Sequence, residues 1–212
     1  LYPGSPAELQ AHLGELLRAG LINPGSQANL SQFKHALIQQ AAYLSQPRAQ
    51  RRQTHARIAE TLQQRFPARA LHAPAQVAHH LSEAGQGAAA VPLWQSAGAH
   101  AQRISAYREA AQYYQRALDC LSDVPPGSQR DSQELALQLA LGVVLNAADG
   151  YGAQRTVRAF ERARELSERT SNIEERFGAL VGIWAGTGSL GGHISAMELG
   201  REVMQAGEQS NN

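Results

Sequence analysis

The sequence predicts an all-α fold in which helical hairpins stack in series behind a small helical unit carrying one short β-hairpin. Three observations predict it. Apolar residues recur at helical spacing along most of the chain, and glycine and proline punctuate it at hairpin-sized intervals. Between Val91 and Leu121, aromatic and small residues fall where two antiparallel helices must approach each other.

The lead-in Leu1–Pro6 ends in Ser5-Pro6 with Glu8 downstream, which predicts an N-cap with proline at the first helical position. The helix that follows, to about Ala19, carries Leu9, Leu13, Leu16 and Leu17 on one side and is closed by Gly20. Leu21-Ile22 and Asn29–Lys34 are strand candidates around an Asn23-Pro24-Gly25 turn, and a helix runs from about His35 to Leu44. Helix, strand, turn, strand is the order found at the tail of a winged-helix domain. Pro47 opens a long helix to Phe66, with Ile58, Ala59, Leu62 and Phe66 on its apolar side; Pro67 is read as its stop and the residues beyond it as a loop. Pro74 then opens a helix that Gly85 ends.

The next stretch is the most informative. With Val91 as the first position of a 34-residue helix-turn-helix repeat, Trp94, Gly98, Ala110, Tyr114 and Ala117 fall on the marker positions of the tetratricopeptide pattern. Small residues let the helices close on each other and the aromatics fill the space at either end. Val124-Pro-Pro-Gly-Ser128 is the strongest loop signal in the chain, and past it Leu135, Leu139, Gly142, Val143 and Leu145 mark another helix. Phe160 and Ala163 then reproduce the spacing of Tyr114 and Ala117, so a second, degenerate repeat begins near Leu137. A third hairpin is expected over about 176–205, with Trp184 and Ala196 at its aromatic and small positions. The expected division is 1–46, a winged-helix-like connector; 47–123, a helical linker and first tetratricopeptide repeat; and 124–212, degenerate repeats.

Composition narrows the function. A net charge of +1 gives no global pull toward nucleic acid or an anionic membrane, so nucleic acid is not the expected partner. The single cysteine, Cys120, provides neither a disulfide framework nor a multi-cysteine metal site and fits a reducing compartment. No apolar run approaches the roughly 18–20 residues that cross a bilayer, and no signal peptide opens the chain, so a cytoplasmic protein without membrane contact is expected. A start without methionine reads as a piece of something longer.

The order of SQFKHALIQQAAY, RRQTHARIAETLQQRFP, VAHHLSEAG, VPLWQSAGAHAQRISAYREAAQYYQRAL and QELALQLALG, spanning about Ala7 to Gln209, resembles the region downstream of the ATPase in large bacterial proteins. Those proteins join a class III adenylate/guanylate cyclase or another signalling domain to an AAA or STAND-type ATPase and a C-terminal tetratricopeptide array. The resemblance implies a non-catalytic, regulatory segment that binds a protein, a peptide or its own ATPase domain. ATP and magnesium would belong to the upstream domain, since this chain has neither a G-x-x-x-x-G-K-[ST] loop nor the acidic residues of a cyclase.

Other constellations are weaker. Gly186, Gly188 and Gly191 spell G-x-G-x-x-G, yet the residues before them read as helix rather than strand, so a turn is expected and not a dinucleotide site. Arg48, Arg51, Arg52 and His55 form a basic stripe at i, i+3, i+4 and i+7 that would face phosphate or another domain. His79 and His80 project about 100° apart from one helix, which predicts packing or hydrogen bonding rather than joint metal ligation. No catalytic set and no metal or cofactor site is expected. The candidate partner groove takes Gln95, Gln102 and Arg103 from the first repeat and Gln138 and Asp149 from the second, together with Pro92, Ala99, Leu141 and Leu145.

Overall fold

A computed structural model describes residues 4–25, 30–150 and 152–169, and beyond these only 177, 180, 200, 201, 204, 205, 207 and 208. The described residues form nine α-helices and one two-stranded antiparallel sheet, so the fold is all-α with a small β-hairpin. None of the described helices is long and apolar enough to cross a membrane.

The N-terminal unit comprises α1 (Pro6–Arg18), β1 (Ile22–Pro24), β2 (Ser31–Phe33) and α2 (Ala36–Ser45). The start of α1 is a capping box: the Glu8 amide donates to Ser5 Oγ at 3.3 Å and the Ser5 amide to Glu8 Oε2 at 2.7 Å. The bond from the Ser5 backbone lowers the Glu8 pKa. Gly20 turns the chain at φ +67°, a backbone that costs a side-chain-bearing residue strain. The strands pair in the register Ile22 with Phe33, Asn23 with Gln32 and Pro24 with Ser31. Asn23 and Pro24 therefore lie within β1, not in the expected turn; proline is tolerated there because β1 is an edge strand. In this unit Ile22 is the one buried residue among those described: α1 and α2 bury none, and Leu37 and Leu44 are exposed.

From residue 48 the helices pack in sequence. α3 (Arg48–Arg65) packs on α5 (Pro74–Glu83), α5 on α6 (Gly87–Arg103), α6 on α7 (Tyr107–Cys120), α7 on α8 (Ser128–Asp149) and α8 on α9 (Gln154–Arg169). Two expectations fail at the end of α3. Phe66 is 53% exposed, not part of the apolar side. Pro67 opens the short helix α4 (Pro67–His72) where a loop was expected, because proline at the first helical position lacks only an amide that would have no helical partner.

The main core lies between α3, α5, α6, α7 and α8, around Ala59, Val77, Ala78, Trp94, Ala110, Tyr114, Ala117 and Leu137. A second cluster gathers Leu135, Phe160, Ala163 and Leu166 with Leu180. Val143, expected in the core, is exposed. Two close approaches set the spacing of consecutive hairpins. A β-carbon at Gly98 would stand 2.7 Å from Tyr114 Cε1, and one at Gly142 would stand 2.7 Å from Phe160 Cε1. In both hairpins a first-helix glycine receives the flat of a second-helix ring. The G-x-G-x-x-G glycines, Trp184 and Ala196 lie outside the described residues.

Candidate functional site

Trp94 is 3% exposed and its buried indole holds three helices together. Its Nε1–H donates to Ser82 Oγ at 2.9 Å, and the Ser82 hydroxyl donates to the Ala78 carbonyl at 2.8 Å. That hydroxyl has one proton, already committed, so the Cys120 thiol 3.2 Å away donates to Ser82. The serine is thus satisfied by α5, α6 and the end of α7. Burial raises the Cys120 pKa and keeps the thiol protonated. Tyr113 stacks on Trp94 at 5.6 Å between centroids, and Arg116 covers the indole at 5.1 Å. Glu109 accepts the Tyr113 hydroxyl at 2.5 Å, and this bond, with burial second, pushes the phenol pKa up to about 12. At the other end of the hairpin Asp123 accepts the Gly87 amide at 3.0 Å, tying the residues after α7 to the first turn of α6.

The groove candidates divide. Gln95 and Arg103 are exposed on α6, as Asp149 is on α8, and Gln138 is half-buried. Gln102 is engaged inside the hairpin, where its Oε1 accepts the Tyr114 hydroxyl at 3.0 Å. Leu141 and Leu145 were expected to line the groove, but at 4% and 1% exposure they belong to the core: α8 packs on both α7 and α9 and leaves them no open side.

The basic stripe turns partly inward. Arg48 and Arg52 are exposed, Arg51 is half-buried with its guanidinium 4.9 Å from the centre of the Tyr43 ring, and His55 is buried. The Arg52 guanidinium lies directly against Gly85. Tyr43, the three arginines, Ser82 and Glu83 line a hollow of about 330 Å³. The stripe therefore faces α2 and the end of α5.

Beside it opens a hollow of about 540 Å³ lined by Tyr43, Arg51, Thr54, His55, His79 and Glu83 with three others. His55 Nδ1 lies 2.9 Å from His80 Nδ1, and one nitrogen from each of His55, His79 and His80 falls within 4.8 Å of the other two. The expectation that His79 and His80 diverge considered α5 alone. α3 crosses α5 there, and the His55 ring, centred 5.8 Å from His79 and 5.0 Å from His80, sits between their two directions. The sequence held one usable signal, a histidine on the apolar side of α3 opposite a His-His pair, but no repeat register relates α3 to α5.

A relay fixes the proton positions. Tyr43 Oη donates to Glu83 Oε2 at 3.3 Å, because a carboxylate only accepts. Its oxygen then accepts from His55 Nε2 at 3.2 Å, which leaves the lone pair of a neutral His55 on Nδ1, facing His80. Burial lowers the pKa of His55, opposed by Glu83 and reinforced by His79 and then Arg51; burial, then His55 and His79, lowers that of His80, with Glu83 opposing. Both rings therefore resist protonation more than a free imidazole does.

No protein-family profile and no solved structure matches the chain. An uncharacterized protein of Rhizobium meliloti (strain 1021) is 30% identical over 143 residues, which cover 68% of this chain and 14% of that protein. This chain is therefore similar to a small part of a much longer relative.

Proposed function

We propose that this chain is a tetratricopeptide-like helical superhelix behind a winged-helix-like connector, a non-catalytic segment through which a larger signalling ATPase or cyclase-type protein binds a polypeptide or its own ATPase domain. The observation that carries the reading is the repeated glycine-under-ring contact, Gly98 with Tyr114 and Gly142 with Phe160, since consecutive hairpins built to one plan are what a stacked array requires. Marker residues Trp94, Ala110, Ala117 and Ala163 are all buried, which supports the same register. The length of the R. meliloti relative supports a multidomain setting. Gln95 and Arg103 offer an amide and a guanidinium on the exposed face of α6, suited to a helix or extended segment.

A role in gripping DNA or nucleotide phosphate through Arg48–Arg52 is disfavoured by the packing of Arg51 on Tyr43 and of Arg52 on Gly85. The test is ATP turnover and DNA binding by the purified chain. Neither is expected; turnover by the chain alone, or a gel shift lost in an R51A/R52A variant, would overturn the reading.

A further inference from the structure

We propose that His55, His79 and His80 form a binding site for a divalent transition metal, zinc foremost, that pins α3 to α5. Neutral imidazole is a preferred ligand of zinc, and Zn–N bonds of about 2.0–2.1 Å place tetrahedral donor atoms about 3.4 Å apart. The three histidine nitrogens bracket that spacing, with one pair at 2.9 Å and all three within 4.8 Å. Rotation of the half-exposed His79 side chain closes the remaining gap.

The surroundings fit a ligand set. The relay from His55 Nε2–H through Tyr43 to Glu83 orients the His55 ring and directs the Nδ1 lone pair into the cluster, the arrangement that metal-ligating histidines use to fix their tautomer. His80 Nδ1–H donates to that lone pair in the metal-free protein. On binding, the His80 ring proton moves through solvent from Nδ1 to Nε2, and the metal takes its place between the two Nδ1 atoms. The Glu83 carboxylate beside the cluster offsets the charge of the cation, and the hollow next to His79 leaves a fourth position for water or for Glu83 itself. Three imidazoles from two helices constitute a staple across the first helix pair of the array.

The test is titration of the tag-free, chelator-stripped chain with Co²⁺, read by its visible d–d absorption, followed by competition with Zn²⁺. One equivalent of Co²⁺ with the intense bands of a four-coordinate nitrogen site is expected, displaced by Zn²⁺. H79A and H80A should each weaken binding at least tenfold, Y43F should weaken it about 10–100-fold through the lost relay, and H72A and H100A should leave it unchanged. H79A lies on the open side of the cluster and its metal-free melting curve reports whether it folds, so a folding defect in another variant does not decide the matter. Absence of the bands, no displacement by Zn²⁺, or undiminished binding by a folded H79A overturns the proposal.

Discussion

The Tyr114 ring lies flat over Gly98, so close that a β-carbon there would come within 2.7 Å of Cε1, and the tyrosine hydroxyl is held at 3.0 Å by Gln102. Glycine inside a helix ordinarily costs about 0.8–1.0 kcal/mol relative to alanine. Gly98→Ala should nonetheless destabilise, because the ring is buried, tethered at its far end and unable to swing aside; overpacking of this kind costs about 1–3 kcal/mol. Urea denaturation should show that loss in G98A, and in G142A, where the buried Phe160 ring stands as close. In a Y114L background the alanine should cost less than in the parent, a coupling that a double-mutant cycle measures.

Ser82 carries the polar end of Trp94, so Ser82→Ala leaves the buried indole N–H without its acceptor. The expected loss is about 1–3 kcal/mol in urea denaturation, larger than at Ser122, whose hydroxyl donates to the Asp119 carbonyl at the surface. Equal effects would mean that the three-helix junction contributes nothing beyond an ordinary surface bond.

Stability should depend on pH through the histidine cluster. The folded-state pKa values of His55 and His80 are lowered, chiefly by burial, from the ordinary 6.5. Below pH 6.5 the unfolded chain binds protons that the folded chain resists, so the contribution is complete above 6.5 and lost as the pH falls below it. Arg51 adds to this resistance at His55 and His79 adds to it at both rings, while Glu83 opposes it. With chelator present, the urea midpoint should drop between pH 7.5 and 5.5, and drop less in an H55Q/H80Q variant. Parallel slopes for the two proteins would contradict the assignment.

Between α8 and α9, Arg162 bonds Glu134 at 2.7 Å, but the arginine side chain is 37% exposed. Solvent screens such a pair, so Glu134→Gln should cost less than about 1 kcal/mol. The nearby G142A should cost more. The reverse order would place the cohesion of this hairpin in its ion pairs and not in the ring over the glycine.

The legible part of the fold was the part governed by local spacing. Ser5, Pro6 and Glu8 announce the start of α1 because each lies within one turn of its partner, and the Trp94 to Ala117 markers announce a hairpin because a repeat pattern of fixed length spans two helices joined by a short turn. Position 141 shows where spacing fails: a repeat register predicts which way a side chain points, but only the neighbouring helices decide whether that side is open, and α7 and α9 close it over Leu141. The histidine cluster failed for a related reason. His55 is 24 residues from His79, and their meeting depends on the crossing of α3 over α5, which no pattern in either helix encodes.

The claim that these hairpins hold a polypeptide is tested most directly by site-specific photo-crosslinking in the full-length protein, with the photoreactive residue at Gln95 or Arg103 on α6 and, for comparison, at Arg108 on α7. The account predicts a discrete polypeptide product from Gln95 and Arg103, mapped by mass spectrometry to one segment, and none from Arg108. Crosslinking from Arg108 alone, or from no position on α6, would contradict it.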